Sequence, residues 1–574
     1  MRKLNFIVVF ILLLTSRNYS QLQQAFAISQ FPYLIHDVGA AYVNIASFNW
    51  RMIQNNTNSA FNWNSLDQAI QGYQSKGIDI YFTIQCVSPV RANQTPCAIA
   101  FSNSKGIYQS WFPEDTVKWK NFISALVDRY DGNGNNDMPG LLRPINHWHI
   151  EQEWERIWCS QYSDTSLAFV HEFTRYVNMT YNEIKKQQLN SKISFAGIDT
   201  RHDMEVYYDG YYSNQGNFCI SSNCATHDEI THAQLASNDN FLKNYRNVLY
   251  LMQNAKFDEL DIHQYGRWET IPDIVRWVKD HVLLGNRVII FLEGGGPFCK
   301  ACEPIYHSAS DTTGYLPPEL VRDNSSYVVY YFITGIANGI KRLHWHLGPE
   351  YSVWGATWGD LDLLSKNYAK KPSYYIYRFL ANLMKSSDAD TVFRVSTSKS
   401  SLYYYRINPL GTSVVWSTQQ KDSLTISGSG ELFLTHIPTV MGDSLIRVDT
   451  LNLQSNTKII LSERVPVFLS GNNFIISNIE SENEIIPAQY KLYQNYPNPF
   501  NPSTTIRFSL PNRSHITLKI FDVLGREVTT LVDRELSAGE HSVVFDFSNL
   551  SSGVYIYRLQ AARFVQQKKM AVIR

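Results

Sequence analysis

Neither sign of charge is in excess: 51 lysines and arginines offset 51 aspartates and glutamates, and charged residues make up only 18% of the 574. Nucleic acid and anionic membrane surfaces are held by a positive field, so neither is expected as a partner and a neutral ligand suits the chain better. Long apolar runs are also missing. The one unbroken stretch, 6–14, is too short to span a bilayer, and it follows Arg2 and Lys3. That is the form of a secretory signal, so a signal peptide is expected over 1–20, with Ser20 and the small-residue pattern Ala25-Phe26-Ala27 as alternative cleavage points. No later stretch is long and apolar enough for a transmembrane helix, and an integral membrane protein is not expected. Cysteine is sparse, at seven. Cys86 and Cys97, Cys219 and Cys224, and Cys299 and Cys302 form close pairs, with Cys159 left over. In an exported chain loop disulfides are the first reading, and the spacing leaves their pairing open. A four-thiolate zinc site from the last two pairs is the alternative, but neither lies in a knuckle-like sequence. No repeat of fixed period occurs, and no glycine-rich phosphate turn follows the first strand-like run. No cofactor is expected.

What is present is apolar and aromatic. Apolar residues reach 44%, which marks a globular chain, and the length is too great for one core, so about three folded units are expected. Aromatics make up 14%, with 13 Trp and 35 Tyr. Aromatic faces stack on the C–H faces of sugars, but β-rich domains use many Tyr and Phe anyway, so composition leaves both readings open.

Over 21–385 strand-like and helix-like segments alternate. Helical spacing over 63–76 puts Leu66, Ala69, Ile70 and Tyr73 on one face and stops at Gly77. The stretch 117–130 carries Trp119, Phe122, Ile123, Leu126 and Val127 on one face. Further helices are read at 167–186, 274–284, 326–339 and 372–385, and strands at 42–46, 78–84, 147–150, 193–198, 260–263, 288–292 and 342–346. Such alternation predicts an α/β fold with a parallel sheet, closed into a (β/α)8 TIM barrel. A doubly wound sheet is the competitor and lacks its phosphate turn. Over 386–470, short alternating runs separated by turn residues predict a small antiparallel β-sandwich. A polar, acidic stretch at 471–488 reads as a linker, and 489–574 as a second, immunoglobulin-like β-sandwich.

Barrel enzymes place their working groups at the carboxyl ends of strands. Two predicted strand ends carry carboxylates: Trp148-His-Ile-Glu-Gln-Glu153 and Ile289-Ile-Phe-Leu-Glu293-Gly-Gly. Glu293 follows four apolar residues and precedes three glycines, an expensive place for a charge that has no role or partner. Cleaving a glycosidic bond with retention takes two carboxyl groups about 5 Å apart, one attacking the anomeric carbon and one protonating the leaving oxygen. Glu153 and Glu293 are the candidates. Bland readings stand beside them: Glu151-Gln-Glu-Trp-Glu155 could be a solvated acidic face, His263 a hydrogen-bonded core histidine, and Trp345 a core residue. His147/His149 and His344/His346 have metal-like spacing, but no third ligand follows at the required distance.

The pattern Trp148-x-Ile150-x-Gln152-Glu153 resembles the fourth-strand motif of glycoside hydrolase clan A, and Phe291-Leu-Glu293-Gly294 resembles its seventh-strand nucleophile motif. Asp261-Ile-His263-Gln-Tyr265 is similar to the sixth-strand His-x-Tyr of that clan. The resemblance spans roughly 25–470. It implies Glu153 as acid/base, Glu293 as nucleophile, Tyr265 as a hydrogen-bond donor to Glu293, Trp345 as the floor of the sugar site, and Gln152 and His263 as substrate contacts. Trp154, Trp158, Trp268 and Trp354 are candidates for further subsites. Two departures stand out. Gln152 replaces the usual Asn, which lengthens the side chain by one methylene. Asn44 stands where the clan has Arg, which removes a cation beside the nucleophile.

The segment Asn495-Tyr-Pro-Asn-Pro-Phe-Asn-Pro-Ser, then Phe521-Asp-Val-Leu-Gly-Arg526 and Ser552-Gly-Val-Tyr-Ile-Tyr557, resembles the type A sorting domain of the type IX secretion system. That implies a partner in the secretion machinery and a product that is secreted or held at the cell surface. The expected function is a secreted retaining β-glycoside hydrolase with a carbohydrate substrate. The alternatives are a non-catalytic carbohydrate-binding surface protein on a decayed barrel, and a metal-dependent hydrolase using the histidine pairs.

Overall fold

The structure, a computed structural model, describes residues 26–572 apart from 30–36, 46–47, 57, 86–114, 152–166, 200–203, 212–217, 220–228, 231, 266–267, 283, 296–317, 347–362, 365–368, 386–390, 398, 409, 420–421, 441–443, 454–455, 472–473, 477–489, 496–497, 501–502, 512–513, 537–538, 547–550 and 562–563. The signal segment and the proposed disulfides lie outside what is described.

Eight parallel strands close into a barrel. They are β1 (Phe26–Ser29), β2 (Tyr42–Ile45), β3 (Asp79–Ile84), β4 (His147–Ile150), β5 (Lys192–Asp199) and, after a short hairpin of β6 (Phe218–Cys219) and β7 (Glu229–Ile230), β8 (Glu259–Tyr265), β9 (Val288–Gly295) and β10 (Leu343–His346). Closure is made by β1, where Ile28 pairs with Val43 on one side and Trp345 on the other. The barrel expectation holds, and the open doubly wound sheet is excluded.

The connecting helices are α1 (Trp50–Ile53), α2 (Asn64–Gln74), α3 (Thr116–Tyr130), α4 (Leu167–Gln187), α5 (Met204–Tyr208), α6 (His232–Ala236), α7 (Asp239–Asn254), α8 (Ile271–His281), α9 (Pro318–Ala337) and α10 (Pro372–Lys385). Helix α3 starts where the Asp115 carboxylate accepts the Val117 and Lys118 N–H groups, each at 3.0 Å. Its apolar stripe, from Trp119 to Tyr130, is buried. Helix α7 was not read from the sequence. Its N-cap Asn238 accepts from Phe241 N at 3.0 Å, and Val248, Leu251 and Met252 are buried. Helix α9 begins at Pro318, earlier than the apolar pattern suggested, with proline at its first position.

The lower barrel interior is polar. The Arg342 guanidinium pairs with Glu259 and donates to His147 Nε2 at 2.8 Å, while the Tyr81 hydroxyl donates to Glu259. Desolvation holds the His147 pKa well below its usual value, and the charges of Arg342 and Lys192 add to this. The ring is therefore neutral and accepts from arginine, which rules it out as a cation in the folded state. An unfolded His147 takes up a proton below about pH 6.5 and the folded one does not, so stability is present above that pH and falls as pH drops through it. Thermal midpoints measured between pH 7.5 and 4.5 should show this loss, and His147→Gln should remove part of the slope. Equal slopes in the two proteins would refute the assignment.

A second unit follows the barrel. Its six-stranded sheet has the order β11 (Thr391–Val395), β12 (Leu402–Asn408), β13 (Thr412–Ser417), β18 (Val467–Gly471), β15 (Gly430–His436), β16 (Arg447–Leu453), and its three-stranded sheet the order β17 (Thr457–Ile460), β14 (Ser423–Gly428), β19 (Phe474–Ile476). The strand Phe474–Ile476 falls inside the stretch read as linker, because it pairs with β14. Every residue of β13 is buried, since both faces of its sheet are covered. Leu402, Tyr404 and Val415 pack on the second sheet, while Tyr405, Val414 and Trp416 join the barrel core. The Trp416 ring lies 4.8 Å from Tyr330 and 5.4 Å from Trp268. Trp268 is thus part of this joint and not a sugar subsite.

The C-terminal unit has sheets β20 (Lys491–Leu492), β21 (Ser503–Leu510), β24 (Gly539–Asp546) and β23 (Glu527–Leu536), β22 (Ser514–Phe521), β25 (Gly553–Ala561), β26 (Phe564–Val572), packed about their own core of Ile506, Phe508, Leu518, Tyr557 and Leu559. Its two signature segments meet: the Tyr557 hydroxyl accepts from Asn495 N at 2.7 Å and donates to Tyr493 O at 2.8 Å. Arg507 of β21 pairs with Asp280 of α8 at 2.5 Å. Among the described residues no helix is long and apolar enough to cross a membrane.

Candidate active site at the carboxyl ends of the barrel strands

Strands β4, β8 and β9 end at one rim of the barrel, and the backbones of His263, Tyr265 and Glu293 lie there. In the β8–β9 register His263 faces Glu293 and Tyr265 faces Gly295. Glu293 and Tyr265 are placed here by their backbones. Strand β4 ends at Ile150, and Glu151 follows with φ of +62°. A left-handed turn at a non-glycine residue is costly, and such turns concentrate at functional sites. Gln152 and Glu153, which follow it in the sequence, lie outside the described residues. Glu151 itself is buried and accepts the Tyr176 hydroxyl at 3.0 Å, so its part of the acidic cluster is not a solvated face.

Two glycines make close approaches. A Cβ on Gly197 of β5 would lie 2.1 Å from the His263 ring, and one on Gly294 would lie 2.1 Å from the Tyr331 hydroxyl oxygen. Burial first, and then the charge of Asp261, push the Tyr331 phenol well up, so it stays protonated behind Gly294. Asn44 accepts the Thr83 hydroxyl at 2.7 Å.

Two expected substrate contacts are buried. The Trp345 indole is fully buried, 5.5 Å from the Tyr331 ring and 6.1 Å from Tyr327, both on α9. Side chains alternate along β10: His344 meets Tyr81 inside the barrel at 5.7 Å, so Trp345 faces the helices and cannot floor a sugar site. His263 is 1% exposed, with Nε2 3.2 Å from Asp261 Oδ2. His149 holds Ser194 through Nδ1 at 2.8 Å. Among the described residues no three His, Cys, Asp or Glu side chains gather as a metal site. Asp261, whose carboxylate receives these two histidines, was not among the candidate site residues of the sequence. The signal was available: a carboxylate inside the otherwise apolar run Leu260 to Ile262.

Fold and rim together define a (β/α)8 barrel with its candidate site at the strand ends, followed by a β-sandwich and a sorting unit. Residues 494–573 match the family described as a secretion system C-terminal sorting domain. The chain is therefore exported by type IX secretion, to the cell surface or beyond it. Several solved structures resemble its backbone course. One is a family 39 glycoside hydrolase from the gut symbiont Bacteroides cellulosilyticus WH2, 12% identical, covering 79% of this chain and 82% of its own, with TM-score 0.49. Others are a glucosidase from Croceicoccus marinus (11% identical, 79% and 96% covered, TM-score 0.45) and a GH51 α-L-arabinofuranosidase from Thermotoga petrophila RKU-1 (9%, 80% and 97%, TM-score 0.46). No curated protein matches the chain.

The export assignment predicts that truncation after residue 488 retains the barrel inside the cell. Immunoblots of medium, surface and interior fractions from a type IX-competent host should show the shift. An unchanged extracellular fraction would contradict it.

Proposed function

We propose that this chain is an exported retaining β-glycosidase acting on a polysaccharide or oligosaccharide by double displacement. Glu293 is the nucleophile and Glu153 the acid/base. The observation that carries this reading is the rim register: the strand holding His263 and Tyr265 lies beside the strand holding Glu293, at the barrel end where such chemistry is built. The left-handed Glu151 supports it, because the strained turn sits two residues before Glu153.

In this reaction ionised Glu293 attacks the anomeric carbon while protonated Glu153 gives its proton to the leaving oxygen. The Glu293 charge raises the pKa of Glu153 before the attack. Once the sugar ester has formed that charge is gone, the Glu153 pKa falls, and the carboxylate can take a proton from water. Tyr265 orients Glu293, and Gln152 contacts the sugar.

The second reading, a non-catalytic carbohydrate-binding barrel, is favoured by Asn44, which is neutral and already engaged with Thr83. Activity on aryl β-glycosides and a polysaccharide panel, measured beside Glu293→Gln and Glu153→Gln, separates the two. A wild type as inert as both variants on every substrate ends the enzyme reading.

A further inference from the structure

Strands β5 and β9 each carry one residue more than β8 at the rim. Phe195 and Ile198 face Leu260 and Ile262, while Ile290 and Glu293 face Asp261 and His263. A bulge of this kind breaks the ladder and frees backbone groups that must find other partners. In β9 the freed amide belongs to Leu292, the residue before Glu293, and it donates to Asp261 Oδ1 at 2.7 Å. Asp261 is 0% exposed. Its other oxygen lies 3.2 Å from His263 Nε2 and 3.5 Å from His149 Nε2. Gly197, in the β5 bulge, leaves the space: a Cβ there would stand 2.7 Å from Asp261 Oδ2 as well as against the His263 ring. On the far side of Glu293, Gly294 is closed in by the Tyr331 hydroxyl and by Gln264 O.

We infer that Asp261 is a positioning residue: its carboxylate holds the β9 bulge through Leu292 N and so fixes the backbone that presents Glu293. The catalytic part of this inference rests on the proposed function; the backbone part does not. A carboxylate is suited to the task because it accepts the amide on one oxygen and the imidazole side on the other. Held this way, β9 keeps residue 293 in one place along the rim without any contact between Asp261 and the substrate.

The test uses the full chain and two variants, Asp261→Ala, which removes the acceptor, and Asp261→Asn, which keeps an oxygen of the same reach. Amide exchange of the peptide covering 288–295 is read by mass spectrometry, and kcat and KM on the aryl β-glycoside that wild type cleaves fastest. Asp261→Ala should speed exchange at Leu292 about tenfold or more, as expected when a bond to a charged acceptor is lost. It should lower kcat about a hundredfold with KM nearly unchanged, since a small misplacement of a reacting group has that effect. Asp261→Asn should recover most of both. The inference is overturned if Asp261→Ala leaves exchange at wild-type rates, or if Asp261→Asn folds but exchanges as fast as Asp261→Ala. It is also overturned if exchange responds while an active enzyme keeps its kcat. If exchange responds as expected and wild type cleaves nothing, the glycosidase reading fails and the role of Asp261 in holding β9 stands.

Discussion

Glu293→Gln is expected to abolish turnover of an activated aryl β-glycoside, with kcat reduced by roughly 10⁴-fold or more, the scale on which removal of a covalent nucleophile is felt. No burst of phenol should precede the steady state, because no sugar ester can form. Glu153→Gln should behave differently. A leaving group that departs without protonation needs no acid, so the first step survives while hydrolysis of the ester, which needs a base, slows. A burst equal to the enzyme concentration should therefore precede a low steady-state rate, and the defect should deepen as the leaving group becomes more basic. Stopped-flow release of phenol reads both patterns. Two variants with the same pre-steady-state trace would remove the division of labour between residues 153 and 293, and two variants at wild-type rates would remove the site.

Arg342→Met carries the largest expected cost in stability, about 3–5 kcal/mol, because it leaves Glu259 charged inside the barrel with its counter-ion gone. Glu259 is 2% exposed and Arg342 11%. The guanidinium also lies 5.4 Å over the rings of both Tyr42 and Tyr81, so the loss includes packing. Replacing both partners with apolar residues of similar volume, as in Arg342→Met with Glu259→Leu, should restore part of the loss, since no bare charge then remains. Urea denaturation of the two single variants and the double variant gives the coupling directly. A single variant within about 1 kcal/mol of wild type, or a double variant whose loss is the sum of the singles, would mean that the pair is not coupled as the geometry implies.

Much of the barrel was legible from local chemistry. Helix α3 announced itself by its apolar stripe, and β9 by an apolar run leading to Glu293. The sorting unit was legible because its motifs at 495–503 and 552–557 are short and local, and the structure shows that their segments meet through Asn495 and Tyr557. Strands such as β16 were not, since an edge strand exposed along most of its length shows no alternation. Helix α7 was missed although its cap and periodicity were present.

The sequence by itself determined most of the barrel's strands and helices, the sorting unit that marks the chain for export, and the apolar run that leads to Glu293, because periodicity, capping and short motifs are local properties of the chain. The tertiary structure alone decided which way each side chain on those strands faces and what it meets. Trp345 and Trp268 are indistinguishable from sugar-binding tryptophans by sequence, yet barrel closure and the docked sandwich bury both. Asp261 owes its significance to bulges in its two neighbouring strands, which exist only as a relation between registers. Burial and register are properties of several segments at once, so no window of one segment contains them.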